Sequence, residues 1–256
     1  MSYGWAMLIA LVVGLVGGYA GVAGGPFTVF LLSSFLGYSQ HSAQGTVLAM
    51  MLGPMTILPV LYGWEIVRRR MKEILISIFA YMAFSFAGAE IAYLFSSTAL
   101  KLVFGVCIIL LGTAYLLFSF RHIGPVHSSS KDLSPTSMAL IGALVGTVGG
   151  MAGIGAGILL IPILTMGLGV EQHEAQTMSL AILLPPVSLG AVAKYGLMES
   201  DIIWPAAGLM LLAYITTCGL GYKLSFRYSA IVLRAVLSVL LILAGIIAII
   251  QSIGLF

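Results

Sequence analysis

The stretch Gly14-Leu15-Val16-Gly17-Gly18-Tyr19-Ala20-Gly21-Val22 returns, at an offset of 132 residues, as Gly146-Thr147-Val148-Gly149-Gly150-Met151-Ala152-Gly153-Ile154. Without a gap, the same offset carries Gln40-His41-Ser42-Ala43-Gln44 onto Gln172-His173-Glu174-Ala175-Gln176, Leu48-Ala49 onto Leu180-Ala181, and Pro54 onto Pro186. Apolar composition alone would repeat Leu, Ala and Gly by chance. It would not repeat Gln-His-x-Ala-Gln. The chain reads as a duplication, so the architecture of one half is expected to recur in the other.

Both copies lie in sequence that water cannot solvate. Of 256 residues, 61% are hydrophobic and 7% charged, and the mean hydropathy is +1.14. Soluble proteins carry roughly 25% charged residues. With 11 basic and 8 acidic side chains, no soluble domain of this length could cover its surface. That excludes a cytosolic enzyme, a secreted disulfide scaffold and a disordered regulator. The net charge of +3 does not imply nucleic acid, because the basic residues are few and sit between apolar runs. Cys107 and Cys218 each lie inside an apolar run and read as small buried residues, not as a disulfide or metal pair. Met1 to Trp5 carries no positive charge, so a cleaved signal peptide is not expected.

A membrane-spanning helix needs about 20 apolar residues. Apolar runs occupy about 5–36, 42–64, 74–96, 99–120, 137–168, 174–196, 202–222 and 230–253. The one long polar stretch, from Arg121 to Thr136, holds Pro125 and Pro135 and reads as a linker. The expected organisation is a first membrane repeat over 1–120, a linker over 121–136 and a second repeat over 137–256.

Runs one and five would each be on the order of 48 Å long as single helices, too long for one crossing and too short for two. Each is interrupted, by Gly24-Gly25-Pro26 and by Gly155-Ala156-Gly157 with Pro162. They read as broken, re-entrant hairpins, which membrane depth tolerates only where protein or a watery cavity covers the backbone. Three crossings then follow in each half, an odd number, which inverts the second half relative to the first. With Arg68, Arg69, Arg70 and Lys72 cytoplasmic, this arrangement puts 9 of the 11 basic residues inside, against 7 for a single crossing per run. The fold class is an all-α polytopic membrane protein built of two inverted repeats, with both termini outside.

Gly14, Gly17 and Gly18, like Gly146, Gly149 and Gly150, suit close helix packing. The glycines at the breaks suggest chemistry instead. Gly24, Gly25, Gly155 and Gly157 free backbone N–H groups ahead of a new helix start, where donors and a partial positive charge favour an anion. Two such breaks brought together near the midplane match the general layout of secondary transporters. Gln44 and Gln176, one turn inside their helices, read equally as substrate contacts or inter-helix hydrogen bonds. Thr46 and Ser179 follow as hydroxyl candidates. His41 and His173 read as helix caps and interfacial anchors, not metal ligands. Glu90, the acid well inside an apolar run, reads as a coupling group or as a partner for Lys101. Lys194 reads as a counter-charge for an anion or as an interfacial anchor. Trp5, Trp64 and Trp204 stand at run ends, as interfacial-belt residues do. No hydrolase, zinc-protease or phosphate-loop motif is present.

Taken in order, these motifs resemble the TauE/SafE sulfite exporter family, permeases of the toluene-sulfonate uptake type. The resemblance rests on Gly17-Gly18-Tyr19-Ala20-Gly21-Val22-Ala23-Gly24-Gly25-Pro26 followed by His41-Ser42-Ala43-Gln44-Gly45-Thr46, and on their second copies through Gly153-Ile154-Gly155-Ala156-Gly157 and His173-Glu174-Ala175-Gln176-Thr177-Met178-Ser179. It covers essentially the whole chain. Ala23 and Ala156 stand where the family carries glycine, and the second helix opening lacks the counterpart of Gly45. The resemblance implies a non-enzymatic permease that moves sulfite or a small organosulfonate across the cytoplasmic membrane, without cofactor or metal. Its partners would be that anion and the bilayer, with no nucleic acid, and a homodimer stays open. A transporter of another small anion or of a metal ion, and a membrane scaffold or assembly factor, stand as alternatives.

Overall fold

The computed structural model describes residues 2–21, 24–120, 133–153, 157–226 and 230–253. Its elements are α-helices, with no strand among the described residues. In the first half they are α1 (Ser2–Ala20), α2 (Gly25–Phe35), α3 (Gln40–Met50), α4 (Ile57–Tyr62), α5 (Trp64–Arg69), α6 (Met71–Tyr93) and α7 (Ser97–Phe120). The second half holds α8 (Pro135–Ala152), α9 (Gly157–Pro162), α10 (Gln172–Ile182), α11 (Leu189–Val192), α12 (Trp204–Ser225) and α13 (Ala230–Ser252). Wider helical turns extend α9 over Ile163–Gly167 and α11 over Ala193–Met198.

Among the described residues, five helices are long and apolar enough to cross a membrane, drawn from α1, α6, α7, α8 and α12. The chain is a multi-pass membrane protein, and its surface agrees. Val12, Phe79, Leu110, Leu117, Leu140 and Leu212 point outward and exposed, a distribution that only lipid can cover. The interior takes the hydroxyls. Ser77 donates to the Met138 carbonyl at 3.0 Å, Thr56 to Leu180 at 2.8 Å and Ser188 to Leu48 at 2.9 Å, so burial leaves these groups satisfied.

Runs one and five do break, directly after Ala20 and after Ala152, but α1 and α8 ahead of the breaks are each long and apolar enough to cross, which a re-entrant hairpin does not require. Gly21 (φ 74°) and Gly153 (φ 65°) adopt the left-handed backbone that ends a helix at little cost only for glycine. Runs two and six, expected as single spans, are interrupted as well. α3 stops at Met50 ahead of Pro54, and α10 stops at Ile182 ahead of Pro185-Pro186. Proline lacks the N–H and clashes with the preceding turn. The polar linker over 121–132 lies outside the described residues.

Glycines set the helix pairs and their directions. Along α1, Gly14 meets Tyr214 and Gly18 meets Cys218 of α12, so these two helices run parallel. Along α8, Gly142 meets Ser77, Gly146 meets Tyr81 and Gly150 meets Ser85, so α8 runs parallel to α6. Gly105 meets Ile249 while Gly112 meets Ser238, so α7 and α13 run antiparallel. At each contact a Cβ would strike a neighbouring backbone, and that is why small residues occupy it. Each of the three pairs joins one half of the chain to the other.

Candidate functional site

The two breaks lie against the glutamines of the opposite half. Gly153 ends α8 so close to Gln44 of α3 that a Cβ there would sit 2.9 Å from its Cα. In the same way, Gly21 ends α1 against Gln176 of α10, with Ile161 of α9 alongside. The break of each half therefore meets the glutamine of the other half.

The two glutamines use their amides differently. Nε2 of Gln176 donates to the carbonyl oxygens of Gly18 (3.1 Å) and Tyr19 (3.0 Å), with Oγ of Ser225 at 3.4 Å. It thereby satisfies carbonyls that the end of α1 leaves open. Ser179 joins it, donating to the Gly21 carbonyl at 3.3 Å. Gln44 is fully buried and anchored by its oxygen instead. Oε1 accepts from the Tyr195 hydroxyl at 3.0 Å, while Nε2 has no hydrogen-bond partner among the described residues. A buried amide with both N–H groups open costs free energy unless something accepts from it.

Of the break glycines, Gly24 takes the left-handed conformation (φ 66°) just before α2, Gly25 opens that helix and Pro26 follows in its first turn. Proline there sacrifices no hydrogen bond. The Gly24 carbonyl accepts from the Thr28 N–H at 3.1 Å and from its hydroxyl at 3.2 Å. Gly157 opens α9, and Gly155 lies outside the described residues. The Thr46 side chain is likewise engaged across the two halves. Its hydroxyl oxygen accepts from the Ile203 N–H at 3.1 Å and so holds the start of α12.

His41 and His173 do not cap their helices. Ser39 and Glu171 do, accepting from Ser42 N–H (3.0 Å) and His173 N–H (3.4 Å). The imidazoles pack on aromatic rings, His41 stacked on Tyr93 with centroids 4.6 Å apart and His173 edge-on to Phe226 at 3.8 Å. Among the described residues no group of three or more His, Cys, Asp or Glu is placed to hold a metal ion. Glu90 pairs with Lys194 (3.3 Å) and not with Lys101; Lys194 also reaches Glu199 at 3.0 Å.

Two polar straps flank the breaks. Asp201 accepts from the Tyr93 hydroxyl at 2.7 Å and from Ser42 at 3.2 Å. At the start of α10, Glu174 takes Nε of Arg70 at 2.6 Å and an Arg69 nitrogen at 3.3 Å. Burial alone would lower the Arg70 pKa. The hydrogen bond and charge of Glu174 more than offset it, and the guanidinium is held above its ordinary value. Tyr195, Tyr93, Asp201 and Arg70 carried no repeat or periodicity that marked them in the sequence. Tyr195 follows Lys194 directly, but its contact with Gln44 spans 151 residues.

No solved structure matches the chain. A protein of Methanocaldococcus jannaschii named as a "probable membrane transporter" is 26% identical over 253 residues, covering 93% of this chain and 92% of that protein. The family description "Sulfite exporter TauE/SafE" matches residues 6–247. With nearly the whole chain matched and the breaks, paired glutamines and lipid-facing helices in place, the chain belongs to the sulfite exporter TauE/SafE family and is a membrane transporter.

Proposed function

We propose that the transporter carries a small sulfur-containing anion, sulfite or an organosulfonate, across the cytoplasmic membrane, and that its halves are inverted repeats over 1–120 and 137–256. The observation that carries the anion reading is the buried Gln44 amide, whose N–H groups are open beside the Gly153 break. The reading also assigns backbone donors of Gly24, Gly25, Gly155 and Gly157 to anion binding at the two breaks. Gln176, Ser179 and Thr46 build the surrounding cradle through the hydrogen bonds that already engage them. Glu90 and Lys194 tie the two halves together at one end of the bundle.

Packing direction supports the inversion. α6 and α7 are joined through Leu94–Ser96 and are 23 and 24 residues long. In a hydrocarbon layer about 30 Å thick, the second must return, so α7 opposes α6. By the same reasoning α13 opposes α12. Adding the parallel pairs α1–α12 and α6–α8 and the antiparallel pair α7–α13, the long helices α1, α6 and α7 point opposite to their counterparts α8, α12 and α13. The contacts correspond in detail: Gly14 on Tyr214 matches Gly146 on Tyr81, Gly18 on Cys218 matches Gly150 on Ser85, and Thr56 on Leu180 matches Ser188 on Leu48.

The reading is tested by equilibrium binding to the purified protein in nanodiscs, using sulfite, an alkylsulfonate, sulfate, chloride and zinc. Saturable binding of sulfite or the sulfonate is expected. Saturation by zinc alone, or by none of the five, would overturn it.

A further inference from the structure

We propose that Tyr195 fixes the polarity of the binding site by holding the Gln44 amide with its NH2 group toward the ligand, which makes the site select an oxyanion over a cation. The inference rests on the reading of the Gly153–Gln44 cradle as the anion site.

A phenol has one proton to give. The Tyr195 hydroxyl has two acceptors within reach, Oε1 of Gln44 at 3.0 Å and the Met151 carbonyl at 3.4 Å. While the proton goes to Gln44, the amide oxygen is occupied and both N–H donors stay open. If the proton went to Met151, the phenol oxygen could only accept. The amide would then turn, bond the phenol through Nε2 and present its oxygen, an acceptor suited to a cation. The shorter distance favours the first state. Packing permits little else: Tyr195 is fully buried, 5.0 Å from the Tyr93 ring, with its Cβ and ring carbon against Gly45.

The second copy is the internal control. Gln176 is anchored by Nε2, spent on Gly18 and Tyr19, so the same residue in the repeated motif offers no open donor pair. The repeated motif supplies two amides, and a tyrosine outside the motif makes one of them a ligand donor.

Tyr195→Phe keeps the ring and removes the proton. Sulfite affinity is expected to fall about tenfold, as loss of one buried hydrogen bond implies, and the stranded Gln44 oxygen should lower the melting temperature only while Gln44 is present. In a Gln44→Leu background the same substitution should cost no further affinity, because the two residues act as a unit. A purely packing role would lower stability by the same amount in both backgrounds and leave affinity alone. A second readout needs no substitution. The two side-chain amide protons of Gln44, followed by NMR in the wild-type protein, should both shift on adding sulfite. Wild-type affinity in Tyr195→Phe would overturn the role of Tyr195 while leaving the anion reading intact, whereas Gln44 amide protons unmoved by sulfite would remove Gln44 from the site and overturn both. Failure of the wild-type protein to bind any sulfur oxyanion would overturn both.

Discussion

Gln176 donates from its side-chain nitrogen to the carbonyl oxygen of Gly18, 3.1 Å away and 158 residues apart in sequence. The bond runs from a helix of the second half to the broken end of a helix in the first. It stands for the whole construction, in which each break is completed by the other half. A transporter built this way cannot place its site with either half alone.

The proposed inversion predicts how the chain lies in the membrane. With Cys107 and Cys218, which are both free, replaced by Ala, single cysteines at Ser200 and Ser225 should label from opposite faces. Ser200 should react with an impermeant maleimide from outside and Ser225 only from the cytoplasm. Labelling of Ser225 only from outside would contradict the inverted arrangement.

Gly18→Ala tests the helix contact beneath the break. The added Cβ would strike the Cys218 backbone, which cannot move aside as a side-chain tip can. A loss of about 1–3 kcal/mol is expected, seen as a lower melting temperature in detergent. Gly208→Ala on α12, where nothing lies within 4 Å, should leave the melting temperature at or slightly above the wild-type value.

The Arg70–Glu174 strap is a buried pair, with side chains only 10% and 11% exposed. Removing one partner strands a charge. Arg70→Met should therefore destabilise by about 3–5 kcal/mol, toward the lower figure because Arg69 also reaches Glu174. The double variant Arg70→Met, Glu174→Leu should recover most of that loss. A double variant as unstable as the single would show that the strap acts through shape and not through charge.

How much of this was legible beforehand follows from what repeats. That runs one and five are interrupted, the packing glycines and the two glutamines were visible because duplication printed each twice, whereas the helix ends at Gly21 and Gly153 were not, since both read as further packing glycines. The interruptions at Pro54 and Pro186 were repeated too, yet continuous apolar composition hid them, since hydropathy does not register a missing N–H. Glu90 and Lys194 were each marked as odd charges, but chain proximity pointed Glu90 to Lys101. Their pairing depends on how α6 meets the segment after α11, which only packing decides. Tyr195 and Asp201 occur once, in one half, and their partners lie more than 100 residues away. No periodicity could have found them.

The central claim, transport of a small sulfur oxyanion through the Gln44 cradle, is tested most directly by labelled-sulfite uptake into proteoliposomes. The wild-type protein should show saturable uptake, competed by an alkylsulfonate. Gln44→Glu, which replaces open donors with negative charge, should abolish uptake at neutral pH while the protein stays inserted. Sulfite uptake by the wild-type protein no greater than in protein-free liposomes, or undiminished uptake by Gln44→Glu, would contradict the account.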